Sequence, residues 1–195
     1  RIGRYIFNGC SGLTSITFEE TSKVTEIWEG AFYNCSSLTS TDIPSGVTKI
    51  WKNTFSGCSN LISVSIPDSV TEIGENAFFQ CTNLTSISIP NSVTSVGEKS
   101  FENCSNLTEI TLSNSVTSID NIPFSNSTNL QTLTIGNSVP SIDNIPFSNF
   151  TNLQTLTIGN SVTNLPDYVF SNLSKLATLT IGNSVTNIGV GAFVR

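Results

Sequence analysis

Leucine recurs at Leu13, Leu38, Leu61, Leu84, Leu107, Leu130, Leu153 and Leu176, with one interval of 25 residues and six of 23. A fixed period of this length dictates architecture before local propensity does. Five more apolar columns keep the same step. The most regular runs through Phe7, Phe32, Phe55, Phe78, Phe101, Phe124, Phe147, Phe170 and Phe193 without exception. A coil with six apolar side chains has no second face of its own to cover them, so it buries them by stacking on a copy of itself. The period therefore predicts a solenoid.

Within each coil, L-x-x-I-x-I places apolar residues at alternate positions, as a half-buried strand does, and the β-branched V-T-x-I that follows predicts a second, shorter strand. Between them stand "IPNS", "IPDS" or "IGNS", turns built on Pro or Gly with Asn. The remaining G-x-x-A-F-x-x-C-x-N is expected to form one helical or 3-10 turn. Strands stacked about 4.8 Å apart would join eight coils into a parallel sheet roughly 40 Å long. The expected class is thus a mainly β (formally α+β) repeat solenoid, one domain over residues 1–195. The chain opens at Arg1-Ile2-Gly3 and stops after Ala192-Phe193, both inside a repeat, so it reads as a piece of a larger protein. Residues 118–140 and 141–163 differ only at Ser127/Phe150 and Pro140/Thr163, which points to a recent duplication.

Only 11% of the residues are charged, against roughly 25% in ordinary soluble domains, so Ser, Thr and Asn must form the surface. A net charge of −6 with eight scattered basic residues offers no stripe for phosphates, which argues against nucleic acid. Apolar runs are too short for a transmembrane segment, no signal peptide is read within this stretch, and targeting information is expected to lie outside it.

Catalysis finds little to work with. The chain has no histidine, which removes the commonest general base and the commonest neutral metal ligand. Phosphate-cradling glycine motifs are absent. Asp42 and Glu109 fall three coils apart, about 14 Å by strand spacing and beyond the reach of a glycosidase pair. Asp120 and Asp143 share a column in the duplicated coils, where a repeated solvated turn residue is the plainer reading. The five cysteines, Cys10, Cys35, Cys58, Cys81 and Cys104, each follow the column phenylalanine by three residues. Ser127, Phe150 and Leu173 replace them later, so the slot reads as interior packing, where free Cys acts as a small hydrophobe. A spacing of 23 to 25 residues does not suit zinc, and five thiols in a parallel ladder cannot all pair. No enzyme, cofactor, metal site or small-molecule substrate is expected.

Binding surfaces are more promising. The outward positions of the main strands carry Ser, Thr, Asp42 and Glu109, either as a recognition face or merely to solvate the sheet. Trp28 and Trp51 occupy the slot that is Gly74 and Gly97 in later coils, while Tyr33 and Phe79 follow the column phenylalanine. These aromatics form an exposed rim near Glu29, Lys49 and Lys52, or else Trp28 and Trp51 fold down as lids over the core. Threonine pairs at Thr132, Thr155 and Thr178 form a ladder of the kind that orders water, which raises ice binding as a further alternative. Sequons fall at Asn34, Asn83, Asn103, Asn106, Asn126, Asn149 and Asn172.

The repeat "LTSISIPNSVTSVGEKSFENCSN", Leu84 to Asn106, resembles that of BspA-like leucine-rich repeat proteins, the Treponema pallidum type, with its L-x-x-I-x-I-P-x-S-V-T-x-I-G-x-x-A-F-x-x-C pattern. The likeness spans the chain and departs from the pattern from residue 113 onward, where Pro becomes Ser113 or Gly136, "GxxAF" becomes "DNIPF", and Cys is lost. The resemblance implies a leucine-rich repeat fold and a secreted or cell-surface location. It further implies a non-catalytic adhesion module that engages host matrix or cell-surface proteins, with a structural spacer displaying other domains as the alternative. It supplies no catalytic motif and no transferable set of ligand-binding residues.

Overall fold

Stacking is what the apolar columns require, and the computed structural model, which describes residues 1–119, 123–143, 145 and 147–194, has it. The main strands are Ser15–Ile16, Ser40–Asp42, Ser63–Ser65, Ser86–Ser88, Glu109–Thr111, Thr132–Thr134, Thr155–Ile158 and Thr178–Ile181. They pair in parallel and in repeat register, so that Ile87 faces Ile110, Ile110 faces Leu133, and Leu133 faces Leu156. A second face carries the shorter strands Lys49–Ile50, Glu72–Ile73, Ser95–Val96, Ser118–Ile119, Asn164–Leu165 and Asn187–Ile188. Between the faces lies one core cluster into which the Leu, Ile, Val and Phe columns all point.

Three features correct the sequence reading. The main ladder is not one sheet of eight strands but a three-stranded and a five-stranded sheet, parted between Ser63–Ser65 and Ser86–Ser88. There the coils remain joined by the longer bond from the Thr85 N–H to the Ile62 carbonyl, 3.3 Å. The second ladder is also interrupted, between Ser118–Ile119 and Asn164–Leu165. Pro140 accounts for the first step of that break, from Ser118–Ile119 to the next coil. In other coils this position donates its N–H to the coil before, Thr117 to Thr94 and Thr186 to Thr163, each at 2.9 Å, and proline has no N–H to give.

The third correction concerns the expected helical turns. Phe147–Asn149 is the only helical segment among the described residues, a single 3-10 turn. Elsewhere the backbone alternates its partners. Ala31, Tyr33 and Cys35 donate to carbonyls three residues back, while Gly30, Phe32 and Asn34 donate to Lys52, Thr54 and Ser56 in the next coil at 2.8–3.0 Å. A helix would have consumed every N–H within the coil and left none to bind its neighbour. Residues with positive φ, such as Gly30 at 60° and Asn34 at 56°, recur two before and two after the column phenylalanine and turn the chain at each step. Gly and Asn tolerate that conformation best.

The phenylalanine column stacks face to face from Phe7 to Phe124, with centroids 5.3–5.8 Å apart. Beyond it Phe147 turns edge-on, to Phe150 at 6.0 Å and to Phe170 at 4.9 Å. Phe150 sits in the cysteine slot, where its larger ring is fully buried against the Phe147 edge.

Candidate functional site

The cysteine slot is more specific than packing alone. Cys35, Cys58, Cys81 and Cys104 are fully buried and free. Each thiol donates to the carbonyl of the column phenylalanine in the preceding coil: Cys35 to Phe7 at 3.1 Å, and Cys58, Cys81 and Cys104 to Phe32, Phe55 and Phe78 at 3.2 Å. Ser127 continues the file, giving its hydroxyl to Phe101 at 3.1 Å. Burial pushes the Cys35 thiol up to about 11 and those of Cys58 and Cys104 to about 12, and it raises Cys81 as well. These sulfurs hold their protons and are poor nucleophiles and poor metal ligands. No group of three or more His, Cys, Asp or Glu fit to hold a metal ion occurs among the described residues.

Carboxylates do not assemble either. Asp42 faces Ser65 in register, whereas Glu109 stands between Ser86 and Thr132, a different file in a different sheet. Both are exposed on the strand face, and Asp42 borders a shallow trough of about 320 Å³ with Ser40, Ser63 and Ser65. Asp120 lies outside the described residues.

The aromatic residues do gather, in two places. Trp28 and Trp51 are neighbours and line a cleft of about 230 Å³ with Arg4, Glu26 and Glu29. They are neither free rim nor closed lid: Trp28 is half-buried and Trp51 is 37% exposed. Cations cover their faces, Arg1 at 5.0 Å and Arg4 at 5.8 Å from the Trp28 ring and Lys49 at 4.4 Å from Trp51. Lys49 is held in turn by Glu72 at 2.7 Å. The tryptophan file ends where it does because at Gly74, the next residue in the slot, a Cβ would lie 2.8 Å from the Lys52 nitrogen. There the coils approach too closely for a side chain.

Tyr33 and Phe79 border a different groove, of about 600 Å³, with Tyr5, Asn53, Asn76 and Lys99. Tyr5 meets Tyr33 edge-on at 6.2 Å and donates its hydroxyl to Glu29 at 3.1 Å, which places it between groove and cleft. Sequence reasoning missed Tyr5 because coil 1 was read only for its apolar columns. It also missed the surface ladders: Asn83 to Asn60 at 3.1 Å, Asn106 to Asn83 at 3.2 Å, and Thr94 to the Thr71 carbonyl at 3.3 Å. The repeated N-L-T and S-V-T triplets were their signal. Four of the sequon asparagines, Asn83, Asn103, Asn106 and Asn126, are therefore structural links, Asn126 donating to Asn103 at 3.0 Å.

The model of the BspA type Leucine rich repeat region (6 copies) matches residues 1–108 and 71–195. The chain belongs to the BspA-type leucine-rich repeat family. This BspA-type chain is similar to the leucine-rich repeat protein of T. pallidum, at 27% identity and TM-score 0.61, with 91% of this chain and 73% of that one covered. It is also similar in fold to a leucine-rich repeat protein of Bacteroides ovatus, at 24% identity and TM-score 0.54, covering 97% of this chain and 66% of the other. No curated protein matches its sequence. No helix among the described residues is long and apolar enough to cross a membrane.

Proposed function

We propose that this BspA-type chain is a non-catalytic recognition module of a secreted or cell-surface protein, and that it engages a protein partner at the Trp28/Trp51 cleft. The observation that carries this reading is the pair of adjacent, partly exposed tryptophans within a ring of Arg1, Arg4, Lys49, Glu26 and Glu29. Tryptophan and arginine dominate the energetic centres of protein interfaces. The strand face, by contrast, presents mainly Ser and Thr, with Asp42 and Glu109 apart from one another. Membership in a repeat family whose coils present extended surfaces supports the same reading. So does the lack of histidine together with thiols that burial keeps protonated.

The test is capture of immobilised matrix and cell-surface proteins by the wild-type chain and by the Trp28→Ala/Trp51→Ala double variant. The double variant is expected to bind about tenfold more weakly or worse. Equal binding by both removes the cleft, and binding to none of the panel leaves the chain a spacer.

A second reading has one observation behind it. Thr132, Thr155 and Thr178 lie in register on adjacent strands, as do Thr134, Thr157 and Thr180. Thermal hysteresis above a buffer control would support ice binding by this array, and its absence would end that reading.

A further inference from the structure

The groove beside Tyr33 and Phe79 has a chemistry of its own, separate from the tryptophan cleft. Its main file runs Asn8, Tyr33, Ser56, Phe79 and Glu102, one residue per coil, so that large and small side chains alternate. Ser56 is buried at 3% exposure and forms a floor between the two aromatic walls. Two coil steps separate those walls, about 10 Å by strand spacing. Two ring-face contacts of about 3.5–4.0 Å each require roughly 8 Å, so the slot takes one puckered ring and little more.

The polar groups around the slot ask for hydroxyls. Glu102 buries one carboxylate oxygen, Oε2, which has no hydrogen-bond partner among the described residues. The amides of Asn8 and Asn53 border the groove and make no side-chain hydrogen bond there. A buried acceptor left unpaired is unfavourable, and the half-buried Glu102 side chain gains a partner by turning that oxygen to a donor in the groove. Charge decides between ligand classes. Lys99 and Glu102 both line the groove, with the Lys99 ammonium 3.4 Å from Glu98. A cationic side chain would meet Lys99, and an anion would meet Glu102. A neutral ligand meets neither obstacle. An apolar side chain would fit between the rings but would leave Glu102 and the amides unpaired.

We propose that this groove binds a neutral sugar ring, with Tyr33 and Phe79 against its C–H faces and Glu102, Asn8 and Asn53 on its hydroxyls. Next to it, one residue further along each coil, Asn34, Gln80 and Asn103 line a second trough of about 460 Å³ with Ser59 and Thr82. That strip of amides and hydroxyls has the composition to hold the next residue of an oligosaccharide. The proposal does not depend on the tryptophan cleft, and either site fails or stands without the other.

The experiment is NMR titration of the ¹⁵N-labelled chain with cellobiose, maltose, lactose and diacetylchitobiose, and with an arginine-containing tetrapeptide as the cationic arm. At least one sugar is expected to give saturable shifts centred on Tyr33, Ser56, Phe79 and Glu102. Tyr33→Ala and Phe79→Ala should each weaken it about tenfold. Glu102→Gln, which keeps the shape, should weaken it about fivefold without changing the melting temperature. Asp68→Asn, in an exposed turn, should change nothing. The shift map needs no variant and stands even if an alanine variant misfolds. The proposal is overturned by sugars that fail to saturate up to about 50 mM, by shifts that centre elsewhere, by full binding in the alanine variants, or by the peptide saturating the groove where sugars do not.

Discussion

Two stretches of the same solenoid solve one packing problem differently. From Phe7 to Phe124 the column phenylalanines stack, and the next coil's thiol or hydroxyl caps a phenylalanine carbonyl at each step. From Phe147 onward the slot holds Phe150 and Leu173, the carbonyl receives no such donor from them, and the Phe147 ring turns edge-on before stacking resumes between Phe170 and Phe193 at 5.2 Å. The turns change as well. The early coils use Pro44, Pro67 and Pro90, whereas the later ones use Gly136, Gly159 and Gly182, where a Cβ at Gly159 would lie 2.2 Å from the Gly136 carbonyl oxygen. Proline ends a ladder because it has no N–H, while glycine lets two turns touch. The strands before Gly159 and Gly182 accordingly run one residue longer, to Ile158 and Ile181. The lesson is that the 23-residue period fixes the stack, and each slot admits any residue that either fills the space or caps the carbonyl.

The sharpest way to separate the two stretches is alkaline pH, because only the first contains thiols. Unfolded cysteines ionise near their ordinary value of 9.0, whereas Cys58 and Cys104 keep their protons to about 12 in the fold and Cys35 to about 11. Between those limits the folded chain binds more protons than the unfolded one, so stability is intact below pH 9 and falls as pH rises. Each such thiol contributes a slope of about 1.4 kcal/mol per pH unit. Urea denaturation at pH 8 and pH 10.5 should show the loss. It should be much smaller in a variant carrying serine at Cys35, Cys58, Cys81 and Cys104, since Ser127 shows that a hydroxyl serves the same carbonyl. Parallel pH profiles for the two proteins would contradict the assignment.

A smaller effect is expected where the second ladder breaks. Pro140→Thr restores the residue that stands at Thr163 in the sister coil, and with it an N–H for the Thr117 carbonyl. One added hydrogen bond is worth about 0.5–1.5 kcal/mol, offset by about 0.4–1 kcal/mol for the lost rigidity of proline. The net change in stability is therefore slight. Amide exchange reads it better: protection at position 140 and at Ser141 and Ile142 should rise. Unchanged exchange would mean that something other than the missing amide interrupts the ladder.

The columns explain how much the sequence could tell. Burial repeats at the period, so the Leu, Phe and Val files declared the stack, the inward strand residues and the buried cysteines. Hydrogen-bond direction does not appear in hydropathy. Nothing in G-x-x-A-F-x-x-C distinguishes a helix from a turn that sends alternate amides to the next coil; the clue lay in Gly30, Asn34, Asn53 and Gly57 at positions that demand positive φ. The interruption at Pro140 was visible as a substitution, but its consequence required knowing which way that N–H points. Among the site residues, the adjacency of Trp28 and Trp51 followed from their shared slot. Their partial burial under Arg1 and Lys49 did not, because long cationic side chains fold onto aromatic faces by geometry rather than by spacing.

The enclosure of the sulfur file between coils can be measured directly by alkylating the native chain with iodoacetamide at pH 8 and locating the adducts by mass spectrometry. Cys10, which is only partly buried, is expected to react without denaturant, while Cys35, Cys58, Cys81 and Cys104 react only after unfolding. Labelling of two or more of those four in the native chain, at a rate like that of Cys10, would contradict the stacked interior on which every other statement rests.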